Sequence, residues 1–332
     1  MSYDITQQPL STRLFSHLLW VAINAILDAE ILVNIDVFTK KLLLKGWTFT
    51  NFINTSIMKQ IILPSDFSDN AWKAMSYAAD LYHNTPCKFH IINTYSYPAQ
   101  MAEAGGVHII LPLQKDSEKQ LQELLKQFKD LDHHVNSEFE TKSISGSLIN
   151  TIVKIEDSAE NNSMIVMGTR GASGIGKLFF GSMTASVIKK CTSPVICVPN
   201  HASLDTPKNI MLALDDLLIS SQNEIQPLLE LAQNWESKID IVHINESKLR
   251  TDKKASEKIV TEQYMKQFEH KYHELFGTDI EDELTYFAKT NEVGLITLIK
   301  RNKGFWENLF QTSLSLNMAF YSKIPLLILR ES

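Results

Sequence analysis

The stretch "GTRGASGIGKLFFGSMTAS", Gly168 to Ser186, decides how the rest of the chain is read. Gly171 to Lys177 spells G-x-x-x-x-G-K, the opening of a Walker A loop. A working Walker A loop needs Ser or Thr directly after the lysine to hold magnesium, and it follows the first strand of its domain. Here Leu178 stands after Lys177, and the glycines follow a late apolar run, "MIVMG" (164–168). The dinucleotide fingerprint G-x-G-x-x-G is absent in that order, and no acidic residue closes a second strand where a ribose would need one. The glycines therefore serve a different geometry, and their neighbours must say which.

Outward from this stretch, short apolar runs alternate with helical periodicity. "QIILPSD" (60–66) reads as a buried parallel strand closed by Pro64. Ser68 or Asp69 then caps a helix over "NAWKAMSYAADLYH" (70–83). "CKFHIINTY" (87–95) is the next strand, followed by a loop from Pro98 to Pro112 and a helix over "DSEKQLQELLKQFKDL" (116–131). "HVNSEFETKSI" (134–144) alternates as a strand and "SLINTIVKIEDSA" (147–159) as an amphipathic helix. "MIVMG", the glycines, a helix "TASVIKKC" (184–191) and a strand "PVICVP" (194–199) complete the series. Strands separated by helices of this length predict an α/β fold with a mostly parallel sheet.

The chain then begins again. "KNIMLALDD" (208–216) repeats "KQIILPSDF", with Asp215 in the place of Asp66, and "SKIDIVHIN" (237–245) repeats "CKFHIINTY". "NLFQTSLSLNMAFYSKIPLLIL" (308–329) repeats "KLFFGSMTASVIKKCTSPVICV", with Pro325 matching Pro194. Such self-similarity predicts two copies of one unit, joined near "NHASLDTP" (200–207). "EKIVTEQYMKQFEHKYHELF" (257–276) reads as a solvated helix by its alternating charge.

What the glycine stretch does match is G-x-x-G, nine residues, then G-[ST]: Gly168, Gly171, Gly181 and Ser182. With the opening "ILPSDFS" (62–68), this resembles the nucleotide-binding signature of the universal stress protein (UspA-like) family. The resemblance covers residues 58–200, and the weaker repeat extends it to the C-terminus, as in tandem two-domain bacterial members. It implies two tandem open, mostly parallel five-stranded sheets with flanking helices, Rossmann-like in the adenine nucleotide α-hydrolase manner, packed as a pseudo-dimer. The expected divisions are a 1–57 extension, a 58–200 domain with the nucleotide site, and a degenerate 207–332 domain. The last strands, "PVICVP" and "IPLLIL", would pair with each other as they do across the family's dimer.

The resemblance also distributes roles. Pro64, Ser65 and Asp66 would line the nucleotide, with Asp66 near ribose or adenine, and Thr94 would offer its backbone to the adenine. Met167, Gly168, Arg170 and Gly171 would flank ribose and phosphates. Gly181, Ser182, Met183 and Thr184 would hold the phosphate tail, with Lys177 adding charge from the variable span. The local chemistry agrees, because a glycine loop running into a helix N-terminus suits an anion. The expected ligand is ATP or a similar adenine nucleotide, with or without magnesium. In the second copy Ile299, Asn302 and Thr312 replace the three glycines, so no nucleotide is expected there and a docking role is.

Other classes find less support. A formal net charge of −6 gives no basic footprint for nucleic acid. Cys87, Cys191 and Cys197 have no metal or disulfide spacing and read as buried thiols of a reducing, cytoplasmic compartment. Asp132-His133-His134 reads as a solvated turn rather than a metal site, and neither G-x-S-x-G nor H-E-x-x-H occurs. The apolar run "LFSHLLWVAINAIL" (14–27) is too short to span a bilayer. Residues 1–57 remain open between a helical extension, a signal segment and an upstream over-extension of the reading frame before Met58, the last being favoured. Function is expected to be regulatory nucleotide binding in a stress response through unidentified protein partners. A slow ATPase or autokinase and a nucleotide-free interaction module are the alternatives, and further pairing into a homodimer stays open.

Overall fold

The computed structural model describes residues 58–96, 107–131, 137–159, 162–169, 181–214, 219–244, 261–275, 280–301 and 323–331. The readings made on residues 1–57, Asp132–His134, Arg170, Gly171, Lys177, Asp215, Asn302 and Thr312 lie outside them. Met58–Ser332 make up one compact unit.

The described strands form a single sheet. Its first half contains β1 (Lys59–Pro64), β2 (Cys87–Tyr95), β3 (Glu138–Ser145), β4 (Ser163–Gly168) and β5 (Val195–Val198). Between them run α1 (Asp69–Leu81), α2 (Val107–Lys129), α3 (Leu148–Ser158) and α4 (Ser182–Lys190). The second half contains β6 (Asn209–Leu214), α5 (Gln222–Trp235), β7 (Lys238–Ile244), β8 (His270–Leu275), α6 (Ile280–Thr290), β9 (Leu295–Lys300) and β10 (Leu326–Arg330). The strand order is β3-β2-β1-β4-β5-β10-β9-β6-β7-β8. Each half thus runs third, second, first, fourth, fifth, and every pairing within a half is parallel. The seam is antiparallel, with Cys197 opposite Leu326 and Val195 opposite Ile328. The expected pairing of the two proline-headed strands is therefore present, and it fuses the two five-stranded units into one ten-stranded sheet.

Alternation along the strands explains the layering. Ile61, Leu63, Phe89, Ile91, Met164 and Val166 face one side with α1 and α2. Ile62, Ile92, Ile165 and Met167 face the other with α3 and α4. Both faces of a parallel sheet must be covered, which is why these strands read as unbroken apolar runs. Within the first layer Phe89 stacks on Phe139 at 5.6 Å and meets Phe128 edge-on at 5.2 Å. Burying each such ring stabilises by about 1.5–3 kcal/mol. Ser68 caps α1 by accepting the Ala71 amide at 3.2 Å, and Ser147 likewise caps α3 from Asn150.

Two elements differ from expectation. Helix α2 begins at Val107, so Pro112 lies inside it rather than ahead of it. Proline costs one backbone hydrogen bond, but Pro112 is exposed and water can take the orphaned carbonyl. Residues 270–275, expected as helix, are instead edge strand β8, paired in register with β7 from His270 opposite Ile239 to Leu275 opposite Ile244. Cross-strand pairing outweighs the local charge pattern there.

Glu156 ties α3 to the start of β5. Its Oε1 accepts the amides of Thr192 (3.0 Å) and Ser193 (2.8 Å) in a buried setting. Glu156→Ala strands both donors and is expected to cost about 2–4 kcal/mol, with Glu156→Gln costing less. Urea midpoints of the two variants check this. The three cysteines are free and buried, and burial pushes the thiols of Cys87 and Cys191 up to about 12.

Candidate functional site

In the first half the chain steps from β1 outward to β2 and β3, then returns to the other side of β1 for β4 and β5. The order therefore reverses between β1 and β4, and ligands of open α/β sheets lie outside the carboxyl ends of the strands at that point. Ile62 stands opposite Ile165 there, so three residues on, Ser65 and Gly168 are level at the strand ends. Pro64 pairs with Ile92, which puts Thr94 level with Asp66. Pro64, Ser65, Asp66, Thr94, Met167 and Gly168 thus gather along one edge, and α4 starts beside them.

The loop after β1 is held tightly. Ser65 is buried, its amide donates to the Ile92 carbonyl at 2.8 Å, and its Oγ accepts the Phe67 amide at 3.1 Å. Phe67 adopts a left-handed φ of 63°. A non-glycine residue there carries strain of order 1–3 kcal/mol that the surroundings must offset. The turn leaves Asp66 exposed, with its Oδ1 accepting the amide of Ser68 at 3.1 Å and its hydroxyl at 2.6 Å. Behind the loop runs a buried relay. Ser143 Oγ donates to Ser117 Oγ (2.8 Å), Ser117 donates to Asn93 Oδ1 (2.7 Å), and Asn93 Nδ2 donates to the Ser65 carbonyl (2.8 Å).

Gly168 has a role other than the one its type suggested. Its φ is not among the positive values of the described residues. A Cβ built on it would lie 2.1 Å from Asn70 Nδ2 and 3.0 Å from the Asn70 carbonyl. Glycine is required because the first turn of α1 presses on the end of β4. Thr184 is also placed differently from expectation. It is 2% exposed and its hydroxyl donates to the Gly168 carbonyl at 2.9 Å, so that proton fastens α4 to β4 rather than facing a ligand. The Gly181 amide donates to the Thr169 carbonyl at 2.6 Å and closes the neck of the glycine segment. Gly181 is the N-cap of α4 and brings no side chain to cap it. The N-terminal amides of that helix, with its positive dipole end, therefore begin at Ser182 and Met183, both exposed.

Asn70, Asn93, Ser117 and Ser143 were not singled out in the sequence. One signal was available: Ser117 is the polar member of the stripe Ser117, Leu121, Leu124, Phe128 that α2 buries.

The second half presents the same edge with other contents. Ile165 donates to the Pro194 carbonyl (2.9 Å) and Ile296 to the Pro325 carbonyl (3.0 Å), which equates the two positions. Counting on, Ile299 corresponds to Gly168 and Arg301 to Arg170. The N-cap Ser68 of α1 corresponds to the N-cap Ser221 of α5, so Asn223 stands at the position of Asn70. Ile299 thus brings a buried side chain to an edge where Gly168 brings none. Buried Arg301 lies 3.8 Å from Glu224, which also accepts the Ser220 amide at 2.8 Å. Burial pushes the Glu224 carboxyl up, against those two partners.

Among known proteins, residues 58–199 match the model of the universal stress protein family. A universal stress protein of Methanocaldococcus jannaschii is 27% identical over 146 residues, covering 43% of this chain and 83% of that protein. The crystal structure of a universal stress protein from Archaeoglobus fulgidus is similar at a TM-score of 0.60 and 18% identity, over 82% of this chain and 98% of that one. One half alone could not supply that coverage, so the likeness in fold extends through both. A protein of unknown function from Pseudomonas aeruginosa is similar at a TM-score of 0.52 and 10% identity, over 84% of this chain and 94% of its own. Residues 58–199 thus match the universal stress protein family in sequence, and the likeness in fold runs through both halves.

Proposed function

We propose that the first half binds an adenine nucleotide, ATP with or without magnesium, and that the chain acts as a regulatory stress-response protein passing its nucleotide state to protein partners. One observation carries this reading. Three segments far apart in sequence, 64–66, 167–168 and 181–184, meet at the edge where the strand order reverses. The base and ribose would lie against Ser65, Asp66 and Thr94. The phosphates would lie along Met167 and Gly168, Arg170 and Gly171 of the glycine segment, the Gly181 N-cap, and the amides of Ser182, Met183 and Thr184.

The second half would bind no nucleotide. Ile299 fills the position of Gly168 with a buried side chain, and Arg301 is neutralised from within by Glu224. Its role is to complete the sheet across the β5–β10 seam and offer a docking face. Among the described residues no helix is long and apolar enough to cross a membrane. The buried free thiols favour a reducing compartment, and we place the protein in the cytoplasm.

Incubation of the full chain with ATP and magnesium tests the regulatory reading. The expected result is retained ATP with no phosphate released above the buffer rate. Steady phosphate release, or phosphate transferred to the chain, would make the protein a slow ATPase or an autokinase instead.

A further inference from the structure

We infer that Lys300 and Arg330 are positioning residues for α4, so that the second half sets the nucleotide affinity of the first. This rests on the nucleotide reading above. The antiparallel seam turns the second half end for end, bringing the carboxyl ends of β9 and β10 beside the start of β5, where α4 finishes. Lys300 Nζ donates to the carbonyls of Ile188 (3.1 Å) and Lys189 (3.3 Å), and Arg330 Nη2 donates to the Ile188 carbonyl. These carbonyls belong to the last turn of α4, which has no donors for them within the helix. Two cations from the second half thus sit on the negative end of the helix whose positive end faces the proposed phosphates.

The helix has only nine residues, so its two ends are about 13 Å apart and it moves as one short rod. Its N-cap, Gly181, gives it no side-chain anchor at the ligand end. Orientation must then come from elsewhere. Thr184 fastens it to Gly168, and Lys300 and Arg330 hold the far end. These two cations have no equivalents in the first half. Lys300 corresponds to Thr169, and Arg330 to Pro199, since Val195 opposite Ile165 matches Leu326 opposite Ile296. Neither Thr169 nor Pro199 carries a cation with which to return the contact. By reciprocity, whatever displaces β9 and β10 changes nucleotide affinity, and nucleotide binding steadies the contact in turn.

The test measures ATP–magnesium affinity of the full chain by calorimetry, with hydrogen exchange on the peptides covering α4. For Lys300→Met with Arg330→Met, affinity is expected to fall about three- to tenfold and the nucleotide-dependent protection of α4 to be lost. Lys300→Arg and Arg330→Lys should return affinity to within about twofold, because charge and reach remain. Ile241→Val, a core change elsewhere in the second half, should lower stability and leave affinity alone. Should the double variant not fold, Lys300→Met alone keeps Arg330 on Ile188 and still reads the effect. A wild-type chain that binds ATP while the folded variants bind it equally well overturns the positioning role alone. A wild-type chain that takes up no nucleotide overturns the reading beneath it, and this inference with it.

Discussion

Replacing Gly181 by valine is expected to weaken adenine-nucleotide binding at least about a hundredfold, roughly 2.7 kcal/mol, while leaving the fold in place. The residue has φ −55° and ψ 152°, a conformation any amino acid adopts, so no backbone strain opposes the change. As an N-cap valine is poorer than glycine, but the difference is about 1 kcal/mol or less. The branched side chain would stand at the mouth of the helix, ahead of the amides that the phosphates need. Calorimetric titration with ATP–magnesium beside thermal melting of the same protein separates the two effects. Unchanged affinity in a folded Gly181→Val protein would remove the phosphates from this helix.

The largest expected loss of stability lies in the other half. Asp240 is fully buried, and its carboxylate accepts from His273 Nε2 (2.9 Å) and Asn209 Nδ2 (2.8 Å), with Lys238 Nζ at 3.5 Å. Asp240→Ala leaves these donors facing a void and is expected to cost about 3–5 kcal/mol. Burial opposes ionisation, yet the hydrogen bonds from His273 and Asn209 and the charge of Lys238 outweigh it and hold the carboxyl below the ordinary aspartate range. A depressed folded value means that the contribution is complete above the unfolded value, about 3.9, and disappears as pH falls through the folded one. Stability of the wild type should therefore decline steeply below about pH 4, and that of Asp240→Asn less so. Urea midpoints between neutral and acid pH give the comparison. Equal slopes for the two proteins would mean that Asp240 contributes no ionised pair to the fold.

Much of the architecture was legible because parallel strands covered on both faces leave unbroken apolar runs such as "QIILP" and "MIVMG". The proline-headed strands at Pro194 and Pro325 marked the seam, since the same Pro-X-apolar form closed both repeats. Strand β8 was not legible, because an edge strand with one solvated face carries alternating charge, which resembles an exposed helix. Its counterpart β3 would have given it, had the repeat been followed through the third strand. Helix α2 started earlier than Pro112 allows on propensity alone, and tertiary packing of Leu121, Leu124 and Phe128 explains why that cost is tolerated.

At the site, residue types were easier to read than their reasons. Gly168 was expected to free the backbone for phosphate, yet it makes room for Asn70. Thr184 was expected to face the ligand, yet it fastens β4 to α4. Such contacts join residues distant in sequence, and no local pattern announces them. Asp66, by contrast, stands exposed at the strand end its motif implied, held there by Ser68 and the strained Phe67.

The measurement that bears most directly on nucleotide binding by one half only is the stoichiometry of ATP on the purified full chain. It is read by denaturing the protein and resolving the released nucleotide, then by titrating emptied protein with ATP–magnesium. The account predicts one adenine nucleotide per chain, lost in Gly181→Val. Two per chain would contradict the reading of Ile299 and the Arg301–Glu224 pair as a closed site. None, with no uptake on titration, would reduce the glycine segment to a structural connection and leave the protein a docking module.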